Sequence, residues 1–150
     1  MRVVLQRVRK AQVIIEEKES EEIGNGILVL LGIEMADQLK DVDWLVNKVL
    51  NLRIFNDKNG VMNCSLIDNG GELMIISQFT LMAATKKGNR PSYIRAANHK
   101  HAIPLYNYFI KKAESILKSK VATGNFVANM KVTLENDGPV TILIDSKNKE

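Results

Sequence analysis

Apolar and polar residues alternate along this chain in two rhythms. Residues 2–8 and 12–15 are rich in β-branched and apolar side chains, which predicts strands. The acidic run Glu16-Glu17-Lys18-Glu19 then suits an exposed turn. Gly24-Asn25-Gly26 punctuates the chain before residues 27–31, a continuous apolar run that reads as a strand buried on both faces. The rhythm then changes. Leu39, Val42, Leu45, Val46, Val49 and Leu50 recur at three- and four-residue spacing, the single apolar stripe of a helix, with Asp37 placed to cap it. Asp57-Lys58-Asn59-Gly60 between two short apolar runs is a hairpin signal. Asp68-Asn69-Gly70-Gly71 is a turn that introduces residues 73–76, a second buried strand. Residues 82–98 are polar, basic and loop-like.

A second helix carries Leu105, Phe109, Ala113, Ile116 and Leu117 on one face, with Pro104 acceptable only in its first turn. Residues 130–135 alternate with period two, and a turn at Asn136-Asp137-Gly138-Pro139 leads to a last strand over 140–144. Strands outnumber helices and most neighbours are close enough for hairpins. The pattern predicts an α+β protein, a mostly antiparallel sheet or partly closed β-barrel with two helices packed against it.

Composition narrows the class. The 150 residues fit one domain, 1–150, with a polar tail from about residue 146 in which Lys147-Asn148-Lys149-Glu150 read as frayed. With 45% hydrophobic residues the chain can bury a core without disulfides or metal. Residues 27–31 are the longest apolar run, far short of the roughly 20 residues of a membrane span. Met1-Arg2 leads straight into Val3-Val4-Leu5 with no signal-peptide pattern, and Cys64 is the single cysteine. A cytoplasmic protein is expected. The charge balance, 21 basic minus 17 acidic residues or +4, allows a nucleic-acid partner without requiring one.

Most familiar chemistry is missing. His99 and His101 are the only histidines, and neither Cys pairs nor carboxylate clusters stand at ligand spacing, so no metal is expected. Cys64 has no evident base and reads as an incidental thiol rather than a nucleophile. No glycine-rich phosphate loop joins a strand to a helix, and no nucleophile-elbow motif supports a Ser-His-Asp triad.

Two segments stand out. In Ser77-Gln78-Phe79-Thr80-Leu81 two hydroxyls and an amide arrive where a core strand leaves the interior. Such a strand end either builds a site on a rigid scaffold or crosses an edge with Ser77 and Thr80 bonded to backbone. In Asn136-Asp137-Gly138-Pro139-Val140-Thr141 the Gly-Pro bond either holds a cis peptide, at about 0.5–1 kcal/mol relative to trans, or forms an ordinary trans turn.

Together these two segments resemble the D-aminoacyl-tRNA deacylase family, also called D-tyrosyl-tRNA deacylases. The likeness runs from Met1 to about Asp145. It includes Met1-Arg2-Val3-Val4-Leu5-Gln6-Arg7-Val8, Trp44-Leu45, the stretch from Lys48 to Phe55, Gly70-Gly71-Glu72-Leu73, Lys87-Gly88-Asn89-Arg90-Pro91-Ser92 and Val121-Ala122-Thr123-Gly124. Two positions depart from the common pattern, Asn129 before Met130 and Met82-Ala83 after Leu81.

The resemblance implies a homodimeric hydrolase that cleaves the ester of D-aminoacyl-tRNA or glycyl-tRNA. It implies no cofactor, and neither membrane nor DNA as partner. Ser77, Gln78, Phe79 and Thr80 would build the site. Gly138 and Pro139, as a cis peptide reaching into the partner subunit's pocket, would exclude L side chains, with Arg7 steadying that loop and Met130 forming a wall. Thr80 acts either as a nucleophile, which needs a base, or as pocket lining beside a water assisted by the terminal 2′-hydroxyl of the tRNA. Lys86, Lys87 and Arg90, with Arg95 and Lys100, are expected to face acceptor-stem phosphates. The rival readings are a non-catalytic tRNA-binding module and a structural dimerisation protein.

Overall fold

A long strand organises the molecule, whose computed structural model describes residues 1–149. β1 (Arg2–Ile15) is one continuous element where two shorter strands were expected. Along one edge it pairs antiparallel with β8 (Met130–Asp145), from Arg2 opposite Asp145 to Ile15 opposite Met130. Its other edge is shared: β3 (Gly26–Gly32) takes the first half and β2 (Glu19–Ile23) the second. Between β1 and β2 the chain turns over Glu16 to Lys18: Glu16 and Glu17 both have positive φ, 47° and 57°, and the Lys18 N–H closes the turn on the Ile15 carbonyl at 3.0 Å.

Beyond β3 the sheet turns parallel. β6 (Glu72–Ser77) runs alongside β3, and β7 (Ala122–Thr123) alongside β6. The connection from β3 to β6 carries α1 (Leu39–Asn51), the hairpin β4 (Phe55–Asn56) and β5 (Met62–Cys64), and the short α2 (Leu66–Asn69). α3 (His99–Leu117) follows β6 and lies against α1. The result is the expected α+β architecture, a mostly antiparallel, nearly closed barrel-like sheet, with three helices among the described residues rather than two. The extra helix is the single turn α2. Its Ser65–Asp68 capping box lies within a segment too short to show a helical apolar stripe.

Two cores result. Val3, Leu5, Ile27 and Leu31 pack against Val42, Leu45 and Val49 of α1 and against Leu105 and Phe109 of α3. Ala11, Val13 and Ile15 meet Leu28, Met74 and Ile76 inside the barrel. Each buried aliphatic side chain contributes roughly 1.5–3 kcal/mol of transfer free energy.

Several local expectations are corrected. The N-cap of α1 is Gln38, in a reciprocal pair with Asp41, while Asp37 is buried and accepts from the Met1 ammonium. α3 starts at His99, so Pro104 lies past the first turn and the exposed Lys100 carbonyl loses its helical donor. The Gly-Pro segment is no hairpin between two strands. It interrupts β8, whose flanks pair with the same β1 across an irregular register at Gln6 to Lys10. The polar tail is anchored at its start: Ser146 is buried, donates to Asp41 at 2.8 Å, and its N–H reaches the Met1 carbonyl at 2.9 Å.

Candidate active site

The parallel strands β3 and β6 end together, and the chain leaves β6 through the first motif. Ser77 still pairs with Leu31, and the Gln78 N–H donates to the Leu31 carbonyl at 2.8 Å. A 3-10 turn, Phe79–Met82, follows immediately, pinned by the fully buried Met82. The Leu81 N–H returns to the Gln78 carbonyl at 3.2 Å. This leaves the N–H groups of Phe79 and Thr80 as the first of the turn, with no acceptor inside it. The Gln78 side-chain amide donates to Thr80 Oγ1.

A cavity of about 600 Å³ opens beside this strand end. Ile76, Ser77, Gln78 and Phe79 form one part of its lining, Tyr93 and Ala96 to His99 another, and Phe126, Val127, Ala128, Met130 and Val132 the rest. Phe79 and Tyr93 meet edge to face with centroids 5.1 Å apart, and both stay substantially exposed. Phe126 is held edge-on between His99, at 5.8 Å, and Tyr106, at 5.6 Å. The Tyr106 hydroxyl donates to the Ile75 carbonyl at 2.8 Å, and burial pushes its pKa upward. Asn98 caps α3 by accepting from the His101 N–H at 3.0 Å. Met130 lies so close to Gly124 that a Cβ there would overlap its sulfur.

The structure therefore brings Ser77, Gln78, Phe79 and Met130 into one cavity. Thr80 sits next to it without lining it, and among the described residues no hydrogen bond joins its hydroxyl to an imidazole or carboxylate. Sequence reasoning missed Tyr93, Asn98 and Phe126 and considered His99 only as a metal ligand. These come from loops and a helix end, where no periodic pattern marks a wall.

Gly138 and Pro139 lie elsewhere. They are exposed, joined by a cis peptide bond, and absent from the lining of this subunit's cavity. Arg7 holds their loop. Its Nε donates to the Asp137 carbonyl at 3.1 Å, and it pairs with the Asp137 carboxylate while its Nη1 reaches the Ile54 carbonyl. Asn136 adds bonds to the carbonyls of Arg7, at 3.1 Å, and Val140, at 3.0 Å. Lys86, Lys87 and Arg90 are exposed on a loop closed by the Ala84–Ser92 bridge, which leads directly to Tyr93. None of the three forms an ion pair among the described residues. Those residues also contain no cluster of three His, Cys, Asp or Glu side chains able to hold a metal.

Fold and site together define a small barrel-like α+β domain with an open, mainly apolar cavity whose polar lining includes the Gln78 and Asn98 amides and the His99 imidazole. The family model described as D-Tyr-tRNA(Tyr) deacylase matches residues 4–145, so the chain belongs to that family. Proteins called D-aminoacyl-tRNA deacylase from Flavobacterium johnsoniae and Cytophaga hutchinsonii are 55% and 58% identical to it, each over 100% of both chains. Among solved structures, the c-Myc DNA Unwinding Element Binding Protein is 38% identical with a TM-score of 0.89, covering 97% of this chain and 98% of that one. A probable eukaryotic D-amino acid tRNA deacylase, 16% identical with a TM-score of 0.84, covers 95% and 97% and shares the fold.

Proposed function

We propose that this chain hydrolyses the ester of D-aminoacyl-tRNA, and of glycyl-tRNA, releasing the free amino acid and tRNA as a chiral proofreading step. One observation carries the reading: the deacylase family match spans residues 4–145 and includes both motifs, Ser77 to Thr80 and Gly138-Pro139. The relatives called D-aminoacyl-tRNA deacylase, identical at more than half of all positions, support it.

In this reading the aminoacyl ester enters the cavity with its carbonyl toward the N–H groups of Phe79 and Thr80. Donors already in place where negative charge develops stabilise the transition state without reorganising. Water adds to the carbonyl, the bond to the ribose 3′-oxygen breaks, and the water proton ends on that oxygen. The terminal 2′-hydroxyl of the tRNA assists the water. Thr80 does not attack, because its hydroxyl is engaged by Gln78 and no base is bonded to it among the described residues. The exposed Phe79–Tyr93 pair offers the terminal nucleoside an aromatic surface.

Selectivity comes from exclusion. Gly138 and Pro139 do not reach the cavity of their own subunit, so in a homodimer Gly138 and Pro139 of the partner subunit cap it. Rigid backbone placed where an L side chain projects admits only hydrogen or a D substituent. Lys86, Lys87 and Arg90 meet the phosphates of the acceptor stem. An aminoacyl-tRNA substrate places the reaction in the cytoplasm.

The test compares D-tyrosyl-tRNA, L-tyrosyl-tRNA and D-tyrosyl-tRNA ending in 2′-deoxyadenosine at catalytic protein concentration. The first is expected to be deacylated, the second spared and the third inert. Loss of both D and L esters would sink the exclusion argument. Loss of neither would leave a tRNA-binding module.

A further inference from the structure

The 3-10 turn Phe79–Met82 is held from two sides by a single cross-strand pair. Arg2 and Gly32 face each other in the β1–β3 register. On the Gly32 side the turn approaches so closely that a Cβ there would sit 2.9 Å from Leu81 Cβ and 3.1 Å from the Gln78 carbonyl oxygen. On the Arg2 side, Nη1 donates to the Leu81 carbonyl at 3.3 Å while Nε donates to Asp145 Oδ2 at 2.7 Å. Carbonyls in the last turn of a helical segment lack internal donors and carry partial negative charge, so a cation there is favourable. Asp145 is fixed in its turn by the Lys147 N–H at 2.9 Å. Burial raises its pKa, but the bonds from Arg2 and Lys147 and the Arg2 charge outweigh this and hold it below the usual carboxylate range.

We propose that Arg2 is a positioning residue for the hydrolysis: its guanidinium, anchored by Asp145, fixes the turn that presents the Phe79 and Thr80 N–H groups to the cavity. The inference rests on the function proposed above. Arg2 does not line the cavity and acts only through the turn. A planar fork reaches two acceptors at once, whereas a lysine ammonium is a point charge on a flexible stem. A small displacement of donors aimed at a developing oxyanion weakens catalysis while leaving ground-state binding nearly intact.

The experiment uses the full chain carrying Arg2→Ala, Arg2→Lys or Asp145→Asn. D-tyrosyl-tRNA deacylation is measured alongside thermal unfolding and backbone amide NMR. Arg2→Ala is expected to lower kcat roughly tenfold with KM changed by less than about twofold. Arg2→Lys and Asp145→Asn should fall between it and the wild type. Methylguanidinium should restore part of the Arg2→Ala rate and leave the wild type unaffected. The amide resonances of Phe79 and Thr80 should shift in Arg2→Ala while those of Met74 and Ile75 stay in place. Unchanged kcat with unshifted amides overturns the proposal. So does a loss that only tracks the folded fraction and is not rescued, since Arg2 would then be merely structural. Should the wild type not deacylate D-tyrosyl-tRNA, the reading of function fails, and the Phe79 and Thr80 amide shifts alone decide whether Arg2 positions the turn.

Discussion

Gly138 has φ +128°, a backbone conformation that L side chains rarely adopt. A Cβ there would also meet Arg7 Nη2 and Val140 Cγ2, each at 2.9 Å. Gly138→Ala therefore strains the backbone and pushes on the guanidinium that holds the loop, at a stability cost of about 1–3 kcal/mol. If this loop is the chiral filter, displacing it opens space for an L substituent. Hydrolysis of L-tyrosyl-tRNA should rise by about tenfold or more while the D ester is still cleaved. Parallel progress curves on the two esters check this, with urea unfolding to confirm that the variant is folded. Unaltered L-ester rejection in a folded variant would remove Gly138 from the filter. At this scale the sequence was informative where chemistry was local. Ser77, Gln78 and Phe79 stand together on one strand end and were legible as a group. Tyr93, Asn98, His99 and Phe126 reach the same cavity from distant loops and a helix start, and only tertiary folding brings them together.

Elements were legible where the apolar period was long. The stripe of α1 and the buried runs of β3 and β6 announce themselves, because their side chains are sorted by one face or by none. Boundaries and pairings were not. β8 looks like two strands because its turn-forming residues break the alternation, yet both halves pair with one β1. α3 begins ahead of its proline because Asn98 caps it there, a signal that hydropathy does not register. This helix also braces the site. The Tyr106 hydroxyl, buried beneath Phe126, donates to the Ile75 carbonyl of β6, which also accepts a long bond of 3.4 Å from the Gly124 N–H. Tyr106→Phe keeps the ring packing and deletes that donor, so it should destabilise the fold by about 1 kcal/mol. Urea denaturation reads the loss directly. A stability equal to the wild type would mean that Gly124 alone satisfies the strand.

At the scale of the whole molecule, the start of β1 and the end of β8, adjacent in the sheet, meet the helical layer through a buried polar cluster. The Met1 ammonium donates to Asp37 and Ser146, and Ser146 donates to Asp41 of α1 at 2.8 Å. Lys147 Nζ reaches both Asp41 oxygens at 2.9 and 2.8 Å. A reading by hydropathy assigns these end residues to solvent, because polar groups that satisfy one another in the interior look like polar groups that face water. Burial pushes the Asp41 pKa upward, but the bonds from Lys147, Ser146 and the Gln38 N–H prevail and lower it from 3.8 to about 2. The folded state thus takes up a proton at Asp41 less readily than the unfolded chain. The stabilisation is complete above pH about 4 and disappears as pH falls through about 2, for a total of about 2 kcal/mol. Urea unfolding followed from pH 6 to pH 2 should show that loss in the wild type. In Asp41→Asn the protein should be less stable at pH 6 and the acid slope shallower by the same amount. Parallel profiles for the two proteins would show that Asp41 does not couple the strand ends to the helix. The remaining acid sensitivity would then belong to the other carboxylates held low by hydrogen bonds, Asp145 with its Arg2 partner among them.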